Sequence, residues 1–351
     1  MAANNRIFYA CQAVAIMKTG HMPTTALGAA TGRFAKGVQS VGITSNFTLD
    51  QAFEMGQIQI YQNSEEVADI EVTMEKVIDG DPLLYGLAGG EAIKTNMVDA
   101  SNSRCDVYLG IYADSVTSTA SNAVGSVVMC SGMYVSSVSY SYPSDGNATE
   151  SITLVGNDKF WNEYTKDDLP SAPRLNYGGA SNNTNTGFSG TDTPSSGVVR
   201  RANFIVVGNT EVDLPDAVKY GHDATTTGGG GHHLTSVSVS ADFGRESIME
   251  LGAFGPYFRY ASFPIEVTSE FEITSTSGDF INISGNAENL GAGEQITLVD
   301  SAGTVINLGS KNKLSSVSYS GGDTGGGNAT VTFSYSTFND LKVDSGVAYW
   351  T

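Results

Sequence analysis

The chain has 351 residues and a formal net charge of −19, from 37 Asp and Glu against 18 Lys and Arg. That balance opposes phosphate binding, because a protein that holds nucleic acid must replace counterions with basic groups, yet it suits a surface that a polyanion passes without sticking. Hydrophobic residues at 40% exclude wholesale disorder, and the length allows two cores of ordinary size.

The stretch Met1–Arg6 lacks a basic region followed by a long apolar run, and the apolar segment ending at Lys18 is too short to span a bilayer, so no leader and no membrane anchor are expected. Residues 6–18 read as a first strand, carrying Ile7, Phe8, Tyr9, Val14 and Ile16. After a Gly/Thr-rich loop, a long hairpin is expected, with Val38–Phe47 as one arm, Asp50–Glu54 as the turn region and Gly56–Gln62 as the other arm. From Asp69 to Val77 the chain alternates: Ile70, Val72 and Met74 on one face, Asp69, Glu71, Thr73 and Glu75 on the other. Period-two alternation marks a strand with one buried side. Asp81 can cap a short helix, with Pro82 at its first position and Leu83, Leu84 and Leu87 on one face. Strands over 105–113 and 124–141 follow, then a hairpin turning through Ser144-Asp-Gly-Asn147. Asn176–Ser196 is dominated by Gly, Ser, Asn and Thr and reads as a linker or long surface loop.

Beyond that linker the chain repeats itself. Val41-Gly-Ile-Thr-Ser-Asn-Phe47 and Met55-Gly56 recur as Val237-Ser-Val-Ser-Ala-Asp-Phe243 and Leu251-Gly252, a constant offset of 196 (237 − 41). Ile70-Glu-Val-Thr73 returns as Ile265-Glu-Val-Thr268, Ser136-Ser-Val-Ser-Tyr-Ser141 as Ser315-Ser-Val-Ser-Tyr-Ser320, and Asn147-Ala-Thr149 as Asn328-Ala-Thr330. Four blocks in one order read as a tandem duplication of a β-rich unit, which points to pseudo-symmetric assembly rather than to an active site. The second copy also has an acidic stripe, Glu266, Thr268, Glu270 and Glu272 opposite Ile265, Val267, Phe271 and Ile273. Opposed on adjacent strands, such stripes would cost on the order of 0.2–1 kcal/mol per like-charged pair, and a function is expected to offset that cost. The fold expected is mainly β: two small antiparallel sandwiches or barrels, each with at most one helix.

Catalytic and metal chemistry find little footing. Gly228-Gly-Gly-Gly231-His232-His233 places its histidines side by side, on opposite faces of any strand, and no Cys or spaced His completes a metal set. Asp79-Gly80-Asp81 opens like a calcium loop but has Gly90 where an EF-hand needs its twelfth-position ligand. There is no phosphate-cradling Gly-Lys-Ser/Thr loop and no Gly-x-Ser-x-Gly elbow. No catalytic residue, metal or cofactor is expected. Cys11, Cys105 and Cys130, odd in number and widely spaced, fit reduced thiols in a cytoplasmic assembly compartment better than a disulfide framework.

The first copy resembles the tail tube proteins of tailed bacteriophages, in Asn4-Asn-Arg-Ile-Phe-Tyr-Ala10, Gly37-Val-Gln-Ser-Val-Gly-Ile43, Gly56-Gln-Ile-Gln-Ile-Tyr-Gln-Asn63 and the segment from Ile70 through Asp81, Pro82 and Leu83 to Leu84, chiefly within residues 1–90. In that family a β-sandwich with one helix assembles into rings, the strands of neighbours join in a continuous barrel, and stacked rings form an acidic conduit for genome ejection. The resemblance implies two tail-tube-type modules, 1–175 and 197–351 around the 176–196 linker, with one short helix in the first. It implies a structural virion protein and not an enzyme: a major tail tube subunit assembled in the host cytoplasm. Asp69, Glu71, Thr73, Glu75, Glu266, Thr268, Glu270 and Glu272 become candidates for the lumen. Val41, Phe47, Met55, Ile58, Ile60, Val237, Phe243 and Leu251 become candidates for assembly hairpins. The implied partners are further copies of the chain and other tail proteins, with double-stranded DNA passing through without specific binding. Two modules per chain suggest a trimeric ring with pseudo-sixfold symmetry; the alternative is a hexameric ring in which one unit decorates the outside. Other virion parts, such as a terminator or decoration protein, and a glycan-binding adhesive β-sandwich are the competing readings.

Overall fold

A computed structural model describes residues 7–18, 32–89, 94–112, 124–163, 188–189, 197–205, 213–219, 233–253, 255–275, 293–322 and 324–345. The chain is mainly β, built of antiparallel sheets with a few short helices. The first half contributes β1 (Gln12–Lys18), β2 (Gly32–Phe34), β3 (Val38–Asn46), β4 (Leu49–Phe53), β5 (Ile60–Glu65), β6 (Asp69–Val77), α1 (Leu84–Gly89), β7 (Lys94–Asn96), α2 (Met97–Asn102), β8 (Cys105–Tyr112), β9 (Val124–Pro143), β10 (Thr149–Gly156), β11 (Asp158–Glu163) and β12 (Phe188–Ser189). The second half contributes β13 (Phe204–Ile205), α3 (Asp216–Lys219), β14 (His233–Asp242), β15 (Arg245–Ile248), β16 (Phe258–Ala261), β17 (Glu266–Thr274), β18 (Thr297–Asp300), β19 (Val305–Asn307), β20 (Lys313–Ser320), β21 (Thr330–Phe338) and β22 (Lys342–Asp344).

Eight of these strands lie side by side in the order β3-β6-β10-β9-β14-β17-β21-β20, each antiparallel to its neighbours. Segments related by the sequence offsets occupy matching places: β3 with β14, β6 with β17, β10 with β21, and the second half of β9 with β20. Even the irregularities match. Gln39 is skipped in the β3–β6 ladder as Thr235, 196 residues on, is skipped in β14–β17. Ser136 and Ser315 are skipped likewise in β9–β10 and β20–β21. A bulge adds one residue to a strand and re-aims it, and such features persist because they are built in.

The apolar face of this sheet is covered by a second layer. Over the first half lie β12, β2, β1, β8, the first part of β9, and β11. β9 serves both layers, and it changes from one to the other at Gly132, whose φ of +64 is a left-handed conformation that a side chain would resist. Over the second half lies a smaller sheet, β13-β18-β19-β22-β7, completed by β7 from the first half of the chain. One hydrophobic cluster runs through both halves, from Val72, Met74 and Leu154 to Phe271, Phe333 and Ile306. The two halves share the eight-stranded sheet and this one core.

Three local expectations need correction. The long hairpins do not form as read: β3 pairs with β6 and β14 with β17, while the hairpins are the smaller pairs β4–β5 and β15–β16. The supposed turn region Asp50–Glu54 is therefore mostly strand, and the two hairpins turn near Gly56 and Gly252. Asp81 stands three residues before the first residue of α1, Leu84, rather than at its cap position. Its backbone N–H donates to Asp79 at 3.1 Å, and the helix start is capped from 66 residues away by Glu150, which accepts the N–H groups of Leu84 at 2.6 Å and Tyr85 at 3.0 Å. A second helix, α2, follows the first, because Asn96 accepts the Asp99 N–H at 2.9 Å and so caps it.

Candidate assembly surfaces

The two acidic stripes occupy one face of one sheet. On β6, Asp69, Glu71 and Thr73 are exposed and Glu75 half-buried; on β17, Glu266 and Glu270 are exposed and Thr268 and Glu272 half-buried. Residues opposite one another in an antiparallel ladder share a face, so the register places Thr44, Thr153, Ser139, Ser240, Ser336 and Ser318 on this side too. The stripes are not on adjacent strands, contrary to the repulsive ladder considered above. Three strands stand between them, and hydroxyls solvate the carboxylates: Ser236 donates to Glu272 at 3.0 Å and Ser336 to Glu266 at 2.7 Å. Asp69 is paired with Arg259. The result is a broad, uncovered Ser/Thr face studded with carboxylates, with the hydrophobic core behind it.

The ends of the sheet are unfinished. Among the described residues, β3 pairs only with β6 and β20 only with β21, leaving ladders of nine and eight residues open on their outer sides. Long open edges are a template for another chain. The centre of the sheet shows how such edges can join, because β9 and β14, the counterparts of β20 and β3, pair from Ser137↔Asp242 to Pro143↔Ser236.

The hairpins project from the end of the sheet where β3 and β14 finish. Every residue of β4 and β5 is exposed, and Met55, Ile58 and Leu251 are 100% or more exposed. Phe47 and Ile60 are exposed as well. Val237 and Phe243, expected among the assembly residues, are core residues instead, because β14 is a central strand whose apolar phase points inward. Val41 sits half-buried against the same core.

The second hairpin is anchored by a half-buried arginine, and among the described residues the first has no such anchor. Arg245 at the base of β15 lies over the rings of Tyr134 and Phe243, at 5.2 and 5.4 Å, and its Nε donates to the Val135 carbonyl at 2.7 Å. Burial pulls its guanidinium down to about 10. Phe258 meets Tyr134 edge to face at 5.3 Å. At the position of Arg245 the first hairpin has Leu49, which is exposed. Arg245→Lys, which keeps the charge but loses the planar fork, is expected to destabilise the chain by about 1–3 kcal/mol in urea unfolding; an unchanged midpoint would show that the anchor contributes nothing.

Sequence reading missed this anchor, the Glu150 cap and the central seam. Glu150 did carry a signal: it shares the inward phase of its strand with Ala148, Ile152 and Leu154. Lys76 does the same on β6, directly opposite Glu150 in the ladder. Of the Gly228–His233 motif only His233 lies within the described residues, and no cluster of metal-ligating side chains occurs among them. No described helix is long and apolar enough to cross a membrane.

No family model matches the chain, and no curated protein matches it. Among solved structures it is similar to the tube-terminating cap of an anti-feeding prophage, determined by cryo-EM, with 12% identity and a TM-score of 0.31 over 46% of this chain and 95% of the cap.

Proposed function

We propose that this chain is an internally duplicated, non-catalytic subunit of a phage tail tube, three copies of which close into one ring. The observation that carries this reading is the central seam. The chain joins two four-stranded units of identical order through β9 and β14, and its free edges are the counterparts of that pair. Repeating the same joint between chains brings β20 of one copy against β3 of the next. Three eight-stranded sheets then form a barrel of 3 × 8 strands, which removes both open edges of each such sheet. The apolar side of each sheet is covered by its own second layer, so the hydroxyl and carboxylate side is the one left to line the bore. Glu71, Glu75, Glu266, Glu270 and Glu272 would there repel a passing duplex, and the scarcity of cations would spare it the contacts that retain DNA. Because both halves belong to the same sheet, neither is set apart as an external decoration, which favours the three-chain ring over the six-chain one. In this role the protein belongs to the virion tail and works with other tail proteins.

Electron microscopy of the concentrated protein tests the reading. Rings or tubes whose averages show three chains around a central hole are expected. Six chains per ring, or a protein that stays monomeric at high concentration, would contradict it.

A further inference from the structure

The outer layers of the two halves follow one plan. β1-β8-β9-β11 in the first half and β13-β18-β19-β22 in the second run in the same order, each strand antiparallel to the next. The Ser-Ser-Val-Ser-Tyr-Ser blocks lie 179 residues apart (315 − 136), and by that offset Val305–Asn307 of β19 falls on residues 126–128 of β9. The next strand keeps the register. Asn307 faces Lys342 where Val128 faces Trp161, and Val305 faces Asp344 where Ser126 faces Glu163. The end of β11 from Trp161 to Glu163 is therefore the counterpart of β22.

One difference breaks the match. The far side of β22 is taken by β7, a strand of the first half, from Lys342↔Asn96 to Asp344↔Lys94. Leu341, just before β22, is buried, and its carbonyl accepts the Met97 N–H at 3.1 Å. Among the described residues β11 pairs with β9 alone, and its far side carries no such strand. Phe160, in the place of Leu341, is 53% exposed, and Trp161 is 61% exposed. Two large aromatics on an open edge mark a surface that a partner strand would cover. The position of β11 says which partner. Lys159 donates to Ser45 near the end of β3, so β11 stands beside the edge that the ring reading sets against the next copy.

We propose that β11 is the docking strand for a second copy of this chain, which covers it with the connection between its own β17 and β18. The joint inside the chain gives the rule. β7 lies in the connection between β6 and β8, and it passes to the half whose β14 meets β9. β17 is the counterpart of β6, and the connection that follows it, residues 276–292, passes by the same rule to the copy whose β3 meets β20. It holds Phe280, Ile281 and Ile283, residue types that suit a strand, to set against Phe160 and Trp161. Each contact between copies then has two layers, an inner seam of sheet edges and an outer clasp in which main-chain hydrogen bonds add one strand to β11. This rests on the ring reading above and adds to it a contact on the outside of the bore.

The test places the photo-cross-linker p-benzoylphenylalanine at position 160 of the full chain. The concentrated protein is irradiated as an equal mixture of isotopically labelled and unlabelled chains, then digested. Mass spectrometry is expected to find cross-links from position 160 into residues 276–292, with mixed-isotope pairs showing that they run between copies. Phe160→Asp with Trp161→Asp, both at exposed sites, should leave the circular dichroism unchanged and cut the yield of rings by about tenfold. Cross-links confined to one chain, cross-links to other segments, none at all, or a ring yield indifferent to the two aspartates overturns the proposal. Cross-links of the expected kind in a protein that closes no ring would uphold the clasp while defeating the ring. Three-chain rings cross-linked elsewhere would do the reverse.

Discussion

Cysteines at positions 44 and 318 are expected to lock the protein into covalent trimers and nothing larger. The positions follow from the central seam, where Ser240 faces Ser139. Moving each residue to its counterpart gives 240 − 196 = 44 on β3 and 139 + 179 = 318 on β20, the second offset being 315 − 136. Facing residues in an antiparallel ladder hold their Cβ atoms about 4.5–5.5 Å apart, close enough for a disulfide after slight adjustment. A closed ring of three stops at three times the 36.8 kDa chain on a denaturing gel, whereas a six-chain ring continues to six. Thr44→Cys with Val317→Cys is the control, because a shift of one residue turns a side chain to the other face. Cys11, Cys105 and Cys130 are all buried, and burial pushes the Cys105 and Cys130 thiols above their ordinary value, so the native cysteines should stay silent. Bands beyond six, or no bridge at 44 and 318 under oxidising conditions, would remove the seam as the template for assembly.

The alternating strands were legible because each has one buried side. Ile70, Val72 and Met74 are buried and Asp69, Glu71 and Thr73 exposed, as the sequence period demands. Strand partners were less legible. The segment 38–62 reads as one long hairpin, but a small inserted hairpin has the same apolar content, and its Leu49, Phe53 and Ile58 are exposed rather than paired into a core. The same repeat block also met two environments: Val237 on a central strand is fully buried, whereas Val41 on an edge strand is half-buried. No local pattern encodes that difference, since it arises from which strand becomes the seam. The Glu150 cap was hidden for a related reason, as donor and acceptor lie 66 residues apart and meet only after β6 and β10 have paired.

The hydroxyl face and the open edges are linked consequences of one arrangement. A sheet whose carboxylates are separated by hydroxyl-bearing strands avoids the direct like-charge pairs that would weaken its ladders. Spacing of this kind lets a surface hold many negative charges without losing strand pairing. Joining further copies at β3 and β20 would continue the pattern, because Thr44 and Ser318 are themselves hydroxyls on the acidic face. The closing seam would then bring hydroxyl against hydroxyl, as Ser139 and Ser240 do at the central one.

Glu150→Ala is expected to cost about 3–5 kcal/mol of stability, the range for stripping a partner from a buried charge cluster. The substitution leaves the Leu84 and Tyr85 N–H groups without their acceptor, takes the acceptor of the Tyr140 hydroxyl at 3.1 Å, and removes the carboxylate facing Lys76. Lys76 is itself fully buried, held by Asp79 at 2.6 Å and the Lys36 carbonyl at 2.7 Å, so its surroundings cannot be made good by water. Glu150→Gln keeps an accepting oxygen and should cost about 1–2 kcal/mol near pH 5. The two substitutions separate further with pH. Burial raises the Glu150 carboxyl above its ordinary value, against the opposing pull of the Tyr85 and Leu84 N–H groups and Lys76. A carboxyl with a raised native value binds its proton more tightly folded than unfolded. Its contribution is therefore full below the unfolded value and is lost as pH rises through the native one. Glutamine resembles the protonated acid, so the gap between Glu150→Gln and the wild type should narrow as pH rises from 5 to 8 in urea titrations. A gap that stays constant across that range would show that the carboxyl does not carry a raised value, and that its role is that of a fixed, fully ionised cap.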